Sequence, residues 1–293
     1  MIRYLFALLA TALVSAPAAA ERLIEDSQGK VAISGKPGRV IALEYSFVDA
    51  LTSIDVLPIG IADDNQPERM LTTVLDKVPE YQSVGLRSQP NLEVISQLKP
   101  DLILADTERH QAIYAELSEI APTLLLPSRS ASYETMLNVA GKIGTALDRS
   151  EQMQQRINQH RDRMQQLKTD IRSEQQMLFA IVSSRGMTIH GPTSFASGVM
   201  AELGINVAAQ QYTDKAYTRI GLEQLLQINP DWLFLGIYGN KELLEQWGEN
   251  PLWRFMSAEQ KTQIREVSPA VWSLSRGMQT AEQIGETLVK LTQ

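Results

Sequence analysis

Apolar and polar positions follow two rhythms along this chain, and one combination of them occurs twice. From Asn91 to Ala105 the residues read Asn-Leu-Glu-Val-Ile-Ser-Gln-Leu-Lys-Pro-Asp-Leu-Ile-Leu-Ala. That is a short amphipathic helix, then Pro-Asp, then an apolar run with the look of a buried strand. From Gly221 to Leu235 the chain says it again, with Leu92, Glu93, Gln97, Pro100 and Asp101 recurring as Leu222, Glu223, Gln227, Pro230 and Asp231. The proline ends each helix, because it lacks an N–H and disfavours α geometry before it. The offset is far too long for a solenoid period. It suits two similar α/β lobes, each with its own sheet.

The remaining pattern fills in around these copies. Arg22 to Ile33 reads as an edge hairpin turning at Ser27–Lys30, and Arg39–Leu43 as the first buried strand. Ser46 is placed to cap a helix running through Ile54. Leu57–Ala62, Leu102–Ala105 and Thr123–Leu126 are further strands, with helices at Arg69–Lys77 and Tyr114–Ile120. Ser132–Leu147 is helical, with Tyr133, Met136, Leu137, Ala140, Ile143 and Leu147 on one side. Asp148–Asp170 is a second helix with a narrow stripe of Met153, Ile157, Met164, Leu167 and Ile171. At about 1.5 Å per residue it spans some ~35 Å, enough to cross between lobes. Past it come strands at Met177–Ser183, Thr188–Gly191, Leu233–Ile237 and Ile264–Val267, and helices at Ser197–Leu203, Glu242–Trp247 and Met278–Leu291. Tyr212–Ile220 reads as loop. The fold class is α/β, two lobes joined by one long connecting helix: residues 21–147, a connector at 148–172, and residues 173–293.

Residues 1–20 stand apart. Arg3, an apolar run from Tyr4 to Val14 and then Ser15-Ala16-Pro17-Ala18-Ala19-Ala20 form a secretory signal cut after Ala20. With no cysteine anywhere, there is no thiol for a lipid anchor and no disulfide. A free periplasmic protein, not a lipoprotein, is expected. The chain carries 27 basic and 34 acidic residues, a balance that argues against nucleic acid and anionic membrane surfaces as partners.

No nucleophile elbow, P-loop, dinucleotide fingerprint or H-E-x-x-H pair occurs, and no nucleophile, base and orienting group can be assembled. An enzyme is therefore disfavoured. His110, His160 and His190 lie in different elements and make a weak case for a bare metal site; His160, mid-helix, reads as solvated or packed. Arginine, by contrast, recurs directly after strands: Arg87, Arg109, Arg185 and Arg276, with Arg129 and Arg219 in nearby loops. Its planar fork binds carboxylates bidentately, so two facing lobes would offer a cluster to an anionic ligand. Tyr45 and Ser46 sit at the carboxyl end of a strand, where open α/β sheets bind ligands. Tyr45, Tyr217, Tyr238 and Trp272 could supply walls with an apolar body and a polar tip. Glu93 and Glu223 each open a repeat helix, where the dipole alone favours a carboxylate; the alternative is a symmetric docking surface for a partner with two basic sockets.

The run Gln82-Ser83-Val84-Gly85-Leu86-Arg87-Ser88-Gln89-Pro90-Asn91-Leu92-Glu93, with Leu98-Lys99-Pro100-Asp101-Leu102-Ile103, resembles the periplasmic siderophore-binding proteins of iron ABC importers. Asn250-Pro251-Leu252-Trp253 and Pro269-Ala270-Val271-Trp272 resemble their C-terminal lobe. Ala42-Leu43-Glu44-Tyr45-Ser46-Phe47, Pro58–Asn65, Ala105–His110 and Ser273-Leu274-Ser275-Arg276-Gly277 are similar to the ferric citrate-binding members. The resemblance implies two Rossmann-like lobes joined by one long helix, with a shallow cleft, little hinge closure and no cofactor. It implies that the cargo is iron(III)-citrate, or else another anionic carboxylate or hydroxamate ferric siderophore. It places Glu93 and Glu223 where the family docks on two inner-membrane permease subunits, and Arg87 and Trp272 at ligand positions of hydroxamate-binding relatives. Tyr217 and Arg219 are weaker matches. The ligand set expected is thus Arg87, Arg109, Arg185, Arg276, Tyr45, Ser46, Trp272, Tyr217 and Arg219, with iron held by the chelate, none of these binding the metal directly, and the protein a monomer.

Overall fold

Five parallel strands carry the first lobe: β1 (Val40–Ala42), β2 (Gly60–Ile61), β3 (Gln82–Ser83), β4 (Leu102–Asp106) and β5 (Thr123–Leu126). In the computed structural model, which describes residues 21–171 and 173–292, their order is β3-β2-β1-β4-β5. The expected leader lies outside the described residues. Val40, Ala42, Leu102, Leu104, Leu124 and Leu126 enter one core, while Ile41, Leu43, Ile103, Ala105 and Leu125 enter another on the opposite face. A sheet covered on both faces needs apolar residues at every position, hence the unbroken runs. The strand order reverses between β1 and β4, and the chain leaves them at Glu44 and at Asp106–Arg109, so the crevice of such sheets opens there.

Helix α1 (Tyr45–Thr52) begins one residue before Ser46, with Glu44 at its cap position and no side-chain cap. Ser46 is therefore inside the first turn, not capping it. The N-terminal hairpin, Glu21–Glu25 with Lys30–Ser34, is a separate two-stranded sheet and not an edge of the main one. The first repeat helix is α2 (Leu92–Gln97). Next, α3 (Tyr133–Ala146) doubles back into α4 (Ser150–Asp170) through Asp148 at φ 59. Gly144 lets the two helices touch, since a Cβ there would lie 2.5 Å from Met153 Cβ.

The second lobe holds β6 (Gln176–Ser183), β7 (Gly186–His190), α5 (Phe195–Glu202), β8 (Asn206–Val207), β9 (Tyr217–Ile220), α6 (Leu222–Ile228), β10 (Trp232–Ile237), α7 (Glu242–Gly248), β11 (Ile264–Val267) and α8 (Met278–Thr292). The order is β9-β7-β6-β10-β11, with β8 beside the start of β6; β7 and β9 run antiparallel to their neighbours. Tyr217–Ile220 is thus a strand where loop was expected. Only Ile220 of its four residues is buried, so this outer strand lacked the apolar signature.

The repeat is equivalent down to single bonds. Asp101 Oδ2 accepts from the amides of Gly38 and Arg39 just before β1, and Asp231 Oδ2 accepts from Gln176 N at the start of β6. β1 pairs with β4 as β6 pairs with β10. Each helix ends on a left-handed residue ahead of the proline, Lys99 at φ 46 and Asn229 at φ 43.

At 21 residues, α4 is about 31 Å long. Its buried stripe of Met153, Ile157, Met164 and Leu167 includes His160, whose ring lies 2.8 Å from Tyr133 Oη on α3 and 2.7 Å from Glu282 on α8. His160 is therefore packed. Burial alone would raise Glu282, but its hydrogen bonds with His160 and Arg156 hold the carboxyl below its ordinary value. One apolar core runs from β1 and α1 through α3, α4 and α8 into β6 and β10, so the lobes share an interior and do not merely abut.

Asp49 of α1 fastens this junction. Its buried carboxylate accepts from Gln279 N, Thr280 N and Thr280 Oγ1 at 3.2, 3.1 and 3.0 Å, capping α8 from the opposite lobe. Gly277, at φ 143, supplies the close approach, because any Cβ would overlap Asp49. Burial pushes Asp49 up to about 6 against those hydrogen bonds. Between pH 4 and 6 the fold keeps a proton that the unfolded chain has released, so this group lowers stability as pH rises, by about 3 kcal/mol in all. Asp49→Asn should flatten that slope in urea unfolding across pH 4 to 6.5; slopes equal to wild type would refute the assignment.

Candidate anion-binding cavity

A cavity of about 550 Å3 opens between the lobes. Arg69, Arg87, Arg109 and Arg129 line it from the first lobe, and Arg185, Arg219 and Arg276 from the second. Five of the seven, Arg87, Arg109, Arg185, Arg276 and Arg219, belong to the expected set, and Tyr217 joins them.

Buried polar groups position these arginines through the backbone. Asp106, fully buried at the end of β4, accepts from Glu108 N and Arg109 N with one oxygen and from Ser128 N and Arg129 N with the other. One carboxylate therefore sets two of the cavity arginines. His110 Nδ1 accepts from Asp106 N at 2.8 Å, leaving Nε2 to donate to Arg87 O at 2.7 Å. Burial keeps its pKa below the ordinary value, consistent with a neutral ring fixing the backbone of Arg87.

The Arg87 guanidinium lies over the Tyr45 ring, 3.9 Å from its centre. It donates to Asp64 Oδ2 through Nη2 at 2.7 Å and Nε at 3.1 Å, and reaches Glu44 at 3.5 Å. Arg69 also meets Asp64, at 3.2 Å. Burial would raise the Asp64 carboxyl, but hydrogen bonds from Arg87 hold it below its ordinary value. Glu44 is fully buried beneath the cavity; Arg109 Nε lies 2.6 Å from its Oε1, an ion contact lacking hydrogen-bond geometry. Desolvation pushes Glu44 up, opposed by Arg87 and Arg109. Arg276 leans on neutral partners: the carbonyls of Leu274 and Ser273, and Tyr217 Oη at 3.3 Å. Tyr217 in turn donates to Arg129 O across the lobes. Among the described residues no carboxylate pairs with Arg129, Arg185, Arg219 or Arg276. Of the seven guanidinium groups, Arg69, Arg87 and Arg109 meet Asp64 or Glu44, and among the described residues the other four are left without a carboxylate partner, so the cavity carries a positive excess.

His190 is in the wall too, edge-on to Tyr217 and Phe179, with Nδ1 unpartnered. Burial and Arg276 hold its pKa down to about 3, so it is uncharged at neutral pH. Tyr238, Ser183, Ser184, Thr188 and Ser273 add further polar groups to the lining.

Three expected residues are elsewhere. Tyr45 is the platform beneath Arg87 and donates to Asp63 O at 3.0 Å. Ser46 Oγ is buried against Ser128 Oγ at 2.8 Å. Trp272 is 2% exposed and packs on Phe179 and Phe234, both centred 5.2 Å away. It sits in the helical turn Ala270–Leu274, which aims it into the core while Ser273 and Leu274 face the cavity. Arg69 was missed because it lies in a 3-10 turn, Pro67–Arg69, and not after a strand. Glu44 was missed too, although a carboxylate directly following a buried strand at the reversal of sheet order was a usable signal.

Glu93 and Glu223 are exposed in the first turns of α2 and α6. Asn91 caps the first helix; at the second, Gln224 Oε1 accepts from Gly221 N. Among the described residues no three His, Cys, Asp or Glu side chains converge on a bare metal ion.

A polycationic hollow between two lobes fixed to a shared core is built for holding an anion. Residues 40–271 match the periplasmic binding protein family, and the chain belongs to it; proteins of this family bind a solute for transport and are not enzymes. Over 290 residues the chain is 39% identical to the Fe(3+) dicitrate-binding periplasmic protein FecB of Escherichia coli (strain K12), covering 99% of this chain and 95% of that protein. It is 35% identical to the Fe(3+)-citrate-binding protein YfmC of Bacillus subtilis (strain 168), over 92% of this chain and 85% of the other. Among solved structures, Staphylococcus aureus SirA complexed with staphyloferrin B superposes with a TM-score of 0.82 at 22% identity, over 92% of this chain and 98% of that one.

Proposed function

We propose that this protein captures iron(III)-citrate in the periplasm and delivers it to an ABC importer. The observation that carries the reading is the excess of guanidinium charge in one hollow, four groups of it without a carboxylate of their own. Citrate would keep the iron coordinated, and its outer oxygens would accept from the arginines as charge-assisted hydrogen bonds. FecB and YfmC, named for ferric citrate, support that choice over another anionic carboxylate or hydroxamate siderophore. Glu93 and Glu223 would dock on basic groups of two permease subunits, and residues 1–20 would be the export signal of a monomer without a lipid anchor.

Calorimetric titration of the mature protein against a panel of ferric chelates tests the reading. Ferric citrate should bind at micromolar concentration or tighter, ahead of ferric hydroxamates. Arg276→Ala should weaken it by about 1.5–3 kcal/mol, the worth of a hydrogen bond to a charged group. A hydroxamate preferred over ferric citrate, or an unchanged affinity in the variant, would overturn the corresponding assignment.

A further inference from the structure

Beside Glu223 the surface is hollow, and four apolar side chains line it. Helices α6 and α7 and the turn after α7 enclose a cavity of about 450 Å3, lined by the apolar Leu222, Leu226, Trp247 and Leu252 and by the polar Gln224, Gln246 and Asn250. Leu252 is 52% exposed, and Phe255 just beyond it 58%, so this apolar surface meets solvent. The surroundings are acidic. Glu223 lines the hollow, and the exposed Glu242, Glu245 and Glu249 lie on α7 and the residue after it, outside that lining. Among the described residues none of these four carboxylates is in an ion pair; the neighbouring Lys241 is spent on Glu266, and Arg254 stacks over Phe255. A part-apolar recess beside unpaired negative charge is a poor seat for anionic lipid or acidic protein. It fits a basic segment with one apolar side chain to bury.

We propose that this hollow is the second half of the docking surface on the C-terminal lobe. It takes an apolar side chain from the permease segment that presents a basic residue to Glu223; the proposal rests on the docking reading above. The two lobes differ here. In the repeat, Leu222 corresponds to Leu92 but Leu226 of α6 corresponds to Ser96 of α2, so one side of the apolar wall is replaced by a serine beside Glu93. The carboxylates alone are symmetric; the hollow makes the two lobes distinguishable to a permease with two different halves, and so selects one orientation. Helix α6 also follows directly on β9, whose Arg219 and Tyr217 line the ligand cavity, so a partner seated here bears on the second lobe's ligand contacts.

The test uses the mature protein, saturated with ferric citrate, and the importer with its ATPase subunits reconstituted in liposomes. The concentration of binding protein giving half-maximal stimulation of ATP hydrolysis is the readout. Leu252→Glu and Glu223→Arg should each raise it by about tenfold or more, as for loss of an interface anchor. Leu226→Ser, which installs the residue of the other lobe, should raise it about threefold or more. Affinity for ferric citrate in solution should stay within about twofold of wild type, below half a kcal/mol. If Glu223→Arg uncouples while Leu252→Glu and Leu226→Ser both match wild type, the hollow is not a docking surface, though the carboxylate is. If Glu223→Arg is silent as well, the docking reading fails and this proposal with it.

Discussion

Reversing Glu93 to Arg should abolish uptake of ferric citrate while leaving its capture in solution unchanged. The Glu93 side chain makes one weak contact, accepting from Gln97 Nε2 at 3.3 Å one turn along α2. Its removal costs the helix only the dipole interaction of an exposed carboxylate, about 0.3–1 kcal/mol, because Asn91 still caps the amides of Glu93 and Val94. Arg87, six residues upstream, takes its position from Asp64, Tyr45 and His110 and owes nothing to Glu93. The cavity therefore keeps its charge and shape. Against a basic socket the new guanidinium faces like charge, worth several kcal/mol in the wrong direction. Uptake of labelled iron into cells expressing the variant, beside calorimetry on the same protein, separates the two steps. A fall in ligand affinity, or undiminished uptake, would remove Glu93 from the docking surface.

How much of this was legible beforehand follows burial. Strands covered on both faces declared themselves as apolar runs, and the duplicated Pro-Asp reflects an aspartate that pins the neighbouring strand in each lobe. The α3 and α4 stripes were readable because helix packing demands a single apolar face. What failed was information carried by direction or by distant contacts. β9 is a strand whose partner, β7, is itself a short antiparallel arm, and three of its four residues stay partly in solvent. Trp272 reads as a wall residue in sequence, yet one turn of helix points it inward and its neighbours outward. Ser46 and Tyr45 were placed at the right end of β1, but the sequence holds no sign that they lie beneath the arginine layer and not at its surface. The arginines themselves were legible because the loops after strands are where such a sheet opens; Arg69, arriving by a different route, was not.

Arg87→Ala should cost the fold about 3 kcal/mol, as well as weakening the ligand, and the reason is Glu44. A buried ion pair contributes little net stability when intact, but removing one partner strands the other's charge and costs about 3–5 kcal/mol. Glu44 is fully buried and would keep Arg109, in an ion contact without hydrogen-bond geometry, and the field of Arg276, so the lower end of that range applies. Tyr45 and Asp64 would lose their shared partner at the same time. Two consequences distinguish this from a simple loss of packing. In Arg87→Ala the Glu44 carboxyl rises further above its ordinary value, so the folded state binds a proton that the unfolded state has released, and stability falls as pH rises; the deficit should be smaller at pH 5 than at pH 8. Glu44→Gln should then relieve Arg87→Ala, the double variant losing at least about 1 kcal/mol less than the two single losses together, as coupled neighbours do. Additive losses and a deficit independent of pH would mean that Arg87 acts on the ligand alone, and that Glu44 is compensated elsewhere.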